Sequence, residues 1–244
     1  MKFPYGISDF ESLITERYHY VDRTDHIPFL EEAGKQLLFL RPRRFGKSLL
    51  LSMLENYYDL NKADRFEILF GELAIGKDPT VEHNQYFVLK WDFSEVSPRG
   101  DGEEIKRNLY RYLNSRINDF SNYYRSTLGS ALPIDHEDAA ISFQGLLSAI
   151  RETGHPLYLL IDEYDNFANE LMMGIYQGAR KSRYQAILSG EGCMKALFKV
   201  IKATAGTRGL GRVFITGVSP VVMSDLTSAY NVAENIYLQP QFNG

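Results

Sequence analysis

Four short apolar runs punctuate this chain of 244 residues, with longer stretches of helical period between them. Gln36–Leu40 (QLLFL), Tyr86–Phe93 (YFVLKWDF), Leu157–Ile161 (LYLLI) and Val213–Gly217 (VFITG) are short, aromatic or branched, and almost unbroken by polar residues. Runs of that kind predict strands covered on both faces, as in a parallel sheet. Asn235–Leu238 (NIYL) predicts a fifth strand. Helical patterns fill the intervals: Ser48–Leu54, apolar on most sides; Phe66–Phe70; Ile105–Leu128, with Ile105, Leu109, Leu113 and Ile117 on one face; Phe143–Ile150; Glu191–Ala203; and a short start at Val221–Leu226. Ahead of the first strand, Ser8 and Glu11 have the spacing of a capping box for a helix ending near Thr15. Tyr18–Asp22 reads as extended, and Thr24 or Asp25 caps a helix to Ala33 that Gly34 stops. Gly71–Asn84 reads as irregular. Strands alternating with helices predict an α/β fold, with residues 1–35 packing on a core of 36–244. No internal repeat or low-complexity segment interrupts it.

Two junctions carry chemistry. The first strand runs into Arg41-Pro42-Arg43-Arg44-Phe45-Gly46-Lys47-Ser48 and then into the apolar helix. Gly46-Lys47-Ser48 is the second half of a phosphate-binding loop. Its main-chain N–H groups and the helix dipole favour an anion, Lys47 reaches the β- and γ-phosphates, and the Ser48 hydroxyl ligates Mg²⁺. Arg43, Arg44, Phe45, Gly46, Lys47, Ser48 and Leu49 are the expected nucleotide-binding residues. The strict motif has a glycine where this chain has Arg41, so a basic surface turn is the competing reading. The strand–loop–helix setting favours the phosphate loop.

The second junction is Leu157–Asn166 (LYLLIDEYDN), an apolar strand ending in adjacent carboxylates. Ligands of open α/β sheets bind at the carboxyl ends of strands. Asp162 is expected to hold Mg²⁺ and Glu163 to deprotonate the attacking water. Thr216, at the end of another strand, is expected to touch the γ-phosphate or that water, although a local hydrogen bond would serve a strand-end threonine equally. Tyr20, just before the first strand, is placed either against a base or in ordinary packing.

Composition narrows the rest. Hydrophobic residues make up 44% of the chain, enough for a sizeable core, and the net charge of -4 gives no general attraction to nucleic acid. The basic residues of the long helix (Lys106, Arg107, Arg111, Arg116, Arg125) read first as a solvated face. A single cysteine, Cys193, cannot form an internal disulfide. No apolar run nears the roughly 18 residues needed to cross a bilayer. A soluble, cytoplasmic protein with no membrane partner is expected.

RPRRFGKS, VDRT (Val21–Thr24), LLIDEYD (Leu159–Asp165) and FITGVS (Phe214–Ser219) together resemble the predicted AAA-ATPase family, common in gut and anaerobic bacteria. The resemblance spans nearly the whole chain and makes Arg41 a family trait. It implies a three-layer P-loop fold around a central, mostly parallel five-stranded sheet of the additional-strand, catalytic-glutamate type. It also implies ATP and Mg²⁺ as ligands. Family members are typically about twice this long, and many continue into a helical lid and a nuclease-like domain. The expectation is therefore a chain cut before the lid, acting through a C-terminal effector on protein or nucleic acid. Ring-forming relatives carry an arginine finger between the fourth and fifth strands, whereas Val213–Gly244 contains no Lys or Arg. Arg208, Arg212, Arg180 and Arg183 are the candidates to replace it, and weak intrinsic activity is expected. Arg43 is expected on phosphate or on Asp162. The resemblance leaves oligomeric state open.

Overall fold

The computed structural model describes residues 2–173, 192–206, 209–220 and 230–242. Five strands form one sheet: β1 (Gln36–Leu40), β2 (Phe87–Asp92), β3 (Leu157–Asp162), β4 (Leu210–Gly217) and β5 (Glu234–Asn235). All pairings are parallel, and the spatial order is β2-β3-β4-β1-β5. β4 thus lies between the strand that feeds the basic loop and the strand that ends in carboxylates. The sheet expected to be mostly parallel is wholly so.

Ten helices surround it among the described residues: α1 (Phe10–Thr15), α2 (Ile27–Ala33), α3 (Lys47–Tyr58), α4 (Phe66–Phe70), α5 (Ala74–Lys77), α6 (Gly102–Tyr123), α7 (Arg125–Leu128), α8 (Ala139–Thr153), α9 (Asn166–Met173) and α10 (Cys193–Thr204). Alternation along the strands sorts them into two layers. Leu38, Leu89, Leu159, Ile161 and Ile215 face a core built with α6, α8 and α10. Leu37, Val88, Tyr158, Leu160 and Phe214 face a second core built with α1–α5. β3 is buried at every position, the reason for its unbroken apolar sequence. The segment before β1 is fastened to α3, where the Phe10 N–H donates to Ser52 Oγ at 2.9 Å.

Some boundaries differ from the sequence reading. Asp9 caps α1 by accepting from the Ser12 N–H, while Glu11 pairs with Lys62 and Arg65 instead of closing a capping box with Ser8. The long charged helix ends at Tyr123. There the Tyr124 hydroxyl turns inward, accepting from the Val88 N–H and donating to Asp59. α5 interrupts the stretch read as irregular. NIYL is not a strand: only Glu234 and Asn235 pair with β1, and Ile236–Leu238 coil into a 3-10 turn. That turn drops Ile236 into the second core, fully buried. The expected Val221–Leu226 helix and the arginines at 180, 183 and 208 lie outside the described residues. No helix among the described residues is long and apolar enough to cross a membrane.

Candidate nucleotide site

Because every strand points the same way, β1, β3 and β4 end together, and the two chemical junctions meet at that edge. The Arg41–Gly46 loop is bent by two left-handed residues, Arg44 at φ +69° and Gly46 at φ +74°. Gly46 is the N-cap of α3 with no side-chain cap, and a Cβ there would meet nothing within 4 Å. The space beside it is open. Among the described residues, no acceptor is found for the main-chain N–H groups of Gly46 through Leu49, while a turn at 43–44 aims the Phe45 N–H back at Pro42. Unengaged donors converging on a helix N-terminus form an anion-binding nest.

The Lys47 side chain is almost wholly buried. Its ammonium donates to the loop carbonyls of Arg41 at 3.1 Å and Pro42 at 3.2 Å. The loop thus folds around its own cation. Ser48 Oγ donates to Asp162 Oδ2 at 2.8 Å. Neighbouring ligands of an octahedral ion with bonds near 2.1 Å stand about 3 Å apart, so these two oxygens fit adjacent positions on one Mg²⁺.

Asp162 is buried, and its Oδ1 accepts from the Glu163 N–H at 3.0 Å and from the Thr216 hydroxyl. Thr216 is fully buried and its hydroxyl donates to Asp162, which is the local hydrogen bond that was the alternative for a strand-end threonine. Glu163 stands at φ +47°, a left-handed conformation uncommon outside glycine. It is half-buried, and burial, then the negative charges of Asp162 and Asp92, push its carboxyl above the usual 4.5. Asp92 belongs to the same edge because β2 pairs with β3 in the register Asp92↔Asp162.

The arginines sort differently from expectation. Arg43 is exposed and reaches Asn166 Oδ1 at 3.4 Å, not Asp162. Arg44 and Phe45 are exposed on the loop. Arg41 turns away from the nest, donating to the carbonyls of Leu40, Tyr237 and Phe242. Arg212 is no arginine finger. It is buried near the start of β4, away from the site edge, with both its Nε and Nη2 on the Glu82 carboxylate. On α6, Arg116 pairs with Asp119, and Arg125, the first residue of α7, bonds Asn122. Lys106, Arg107 and Arg111 line a groove of about 660 Å³ that Glu103 and Glu137 also line.

The sequence reading missed a clasp behind the carboxylates. Asp165, buried, accepts from the N–H of Val218 and of Ser219, the latter at 2.7 Å. The Tyr164 N–H donates to the Thr216 carbonyl at 3.1 Å, and its hydroxyl to the Ser219 carbonyl. Gly217 permits this approach: a Cβ would lie 2.5 Å from the Tyr164 ring. The second aspartate of DEYD and the Gly-Val-Ser after β4 were the available signals. A cavity of about 410 Å³ flanks the loop, lined by Tyr20, Val21 and Arg23 before β1, by Phe45, Gly46 and Leu49, and by Phe242. Tyr20 packs edge-on against Phe10, the commoner reading for it, and also lines this cavity.

A parallel sheet in this order, with a phosphate-type loop after β1 and an Asp-Glu pair after β3, defines a P-loop fold of the additional-strand class. The chain belongs to the predicted AAA-ATPase family, whose model matches residues 4–227. Membership implies ATP as the ligand. The chain is also similar to an uncharacterised protein from the vnfD 5′ region of Azotobacter chroococcum mcd 1. The two are 29% identical over 168 residues, which is 67% of this chain and 29% of that protein. Among solved structures it is similar to the Walker-type ATPase PABY2304 of Pyrococcus abyssi. That likeness has 18% identity and a TM-score of 0.48, covering 86% of this chain and 48% of the other. The chain thus spans less than half the length of either relative.

Proposed function

We propose that this chain binds Mg–ATP across residues 43–49 and hydrolyses it slowly. The observation that carries the reading is the set of main-chain N–H groups from Gly46 to Leu49 left without acceptors beside the Ser48–Asp162 pair. Phosphate oxygens supply the missing acceptors. The Lys47 ammonium exchanges the Arg41 and Pro42 carbonyls for β- and γ-phosphate oxygens. Ser48 and Asp162 would hold Mg²⁺, which supplies charge neutralisation on the transferred phosphoryl group. Thr216 fixes the rotamer of Asp162. Glu163 accepts the proton of the attacking water, and its raised carboxyl pKa suits a base. The base of the nucleotide lies in the cavity lined by Tyr20, Leu49 and Phe242. Slow turnover fits Arg212, the one described candidate for an arginine finger, being locked on Glu82. The reading extends to a motor or switch role for an effector, protein or nucleic acid, as the family resemblance implies.

Calorimetric titration of Mg–ATP, then Mg–GTP, into the chain and its Lys47→Ala variant tests the reading. Binding that the variant loses supports the site. An intact chain that binds neither nucleotide overturns it.

A further inference from the structure

Arg41 occupies the loop position that the strict motif gives to glycine, and it faces two ways. Its carbonyl accepts from Lys47 Nζ at 3.1 Å. Its guanidinium lies over the Phe39 ring, 4.7 Å from the centroid. The same group donates to the Leu40 carbonyl at 3.1 Å, to the Tyr237 carbonyl at 3.2 Å and to the Phe242 carbonyl. The last two belong to the turns that follow β5. Phe242, held by this clasp, is also part of the cavity wall beside Gly46 and Leu49. One residue therefore carries the resting contact of the loop lysine on its backbone and the 236–242 segment on its side chain.

We propose that Arg41 is a positioning residue that makes nucleotide binding and the docking of residues 236–242 depend on one another. The inference rests on the nucleotide reading above. Phosphate draws Lys47 off the Arg41 carbonyl and resets the 41–42 peptide. A base in the cavity packs on Phe242 and stabilises its docked position. Both effects converge on the Arg41 clasp. Coupling between two binding events is reciprocal, so a docked segment strengthens nucleotide binding by the factor with which nucleotide strengthens docking. The planar, forked guanidinium reaches carbonyls from separate turns while stacking on Phe39. A lysine ammonium on a flexible stem does neither together.

The test is hydrogen exchange at the amides of 236–242, with and without Mg–ATP, beside ATP titrations, on the intact chain and on Arg41→Ala, Arg41→Lys and Lys47→Ala. Mg–ATP is expected to slow exchange in the intact chain about fivefold or more, a common size for coupling between sites. Arg41→Ala is expected to exchange faster without nucleotide, to lose the ATP response, and to bind ATP about tenfold more weakly. Arg41→Lys keeps the charge and is expected to retain less than half of the response, which keeps the test decisive where the alanine variant fails to fold. An intact chain that binds ATP through Lys47 without any change at 236–242 overturns the coupling alone, as does an Arg41→Ala protein that responds like the parent. Absence of ATP binding overturns the nucleotide reading and the coupling with it.

Discussion

At the scale of the residue, Glu163 combines a left-handed backbone with a carboxylate crowded by like charge. Burial and the nearby Asp162 and Asp92 raise its pKa above 4.5, against the pull of Lys47 and Arg43. Only the deprotonated form accepts a proton from water. Turnover is therefore expected to fall as pH drops through a value above 4.5, with binding of ATP holding to lower pH. Asp92→Asn removes one of the two like charges and is expected to move that acid limb to lower pH in a kcat profile. Glu163→Gln is expected to cut turnover about 100-fold or more while leaving calorimetric ATP affinity within about threefold. Equal loss of both would remove Glu163 from the role of base.

At the scale of the element, the ends of β3 and β4 are welded by Asp165, Tyr164 and Gly217. Asp165→Ala strips a charged acceptor from the Val218 and Ser219 N–H groups and is expected to destabilise the chain by about 2–3 kcal/mol in urea unfolding. Gly217→Ala drives a methyl into the Tyr164 ring and is expected to lower the same midpoint, at a cost of about 1–3 kcal/mol. The sequence held only the residue signals of this clasp, Asp165 and the Gly-Val-Ser, and not their pairing, whereas the elements themselves were mostly legible. β1, β3 and the start of α3 announce themselves because burial on both sides leaves no polar position to break the run. Gly46, Lys47 and Ser48 stood out as candidates because their spacing along the chain sets their local geometry, and Asp162 because it closes an apolar strand. Contacts made through space were not legible. Arg41 meets carbonyls some 200 positions away, Thr216 finds Asp162 across neighbouring strands, and Ser8 loses its capping role because Glu11 has better partners in Lys62 and Arg65. NIYL misled because its apolar residues enter the core from a turn, a pattern that a short strand also produces.

At the scale of the whole molecule, the opposite end of the sheet has its own anchor. Arg212, near the start of β4, joins Glu82 and also donates to the Gly34 carbonyl at 2.9 Å, tying the exit of α2 to the loop before β2. Removing one partner of such a pair leaves the other stranded, and Arg212→Ala is expected to cost about 3 kcal/mol in stability. Arg212 lies about 13 Å along β4 from Thr216, at strand rise, so ATP affinity is expected to survive under conditions where the variant stays folded. The pair is also pH-sensitive. Burial pushes the Glu82 carboxyl up, but Arg212 and the Tyr86 hydroxyl outweigh it and hold it below 4.5. Its contribution is complete above about 4.5, the value of a free glutamate, and is lost as pH falls through the lower folded value. Acid unfolding of Glu82→Gln is expected to show a shallower dependence on pH in that range.

The nest at Gly46–Leu49 has a practical corollary for the bench. Backbone donors at a helix end grip any small tetrahedral oxyanion, so sulfate and inorganic phosphate compete for the same seat as the nucleotide. In such buffers the melting temperature is expected to climb with anion concentration, by as much as about 2.7 kcal/mol of stabilisation at a hundredfold excess over the dissociation constant. Chloride at matched ionic strength is expected to do little, and Lys47→Ala to blunt the rise. An ATP affinity titrated in phosphate buffer then reports a displacement, and the same titration in a zwitterionic buffer is expected to read tighter.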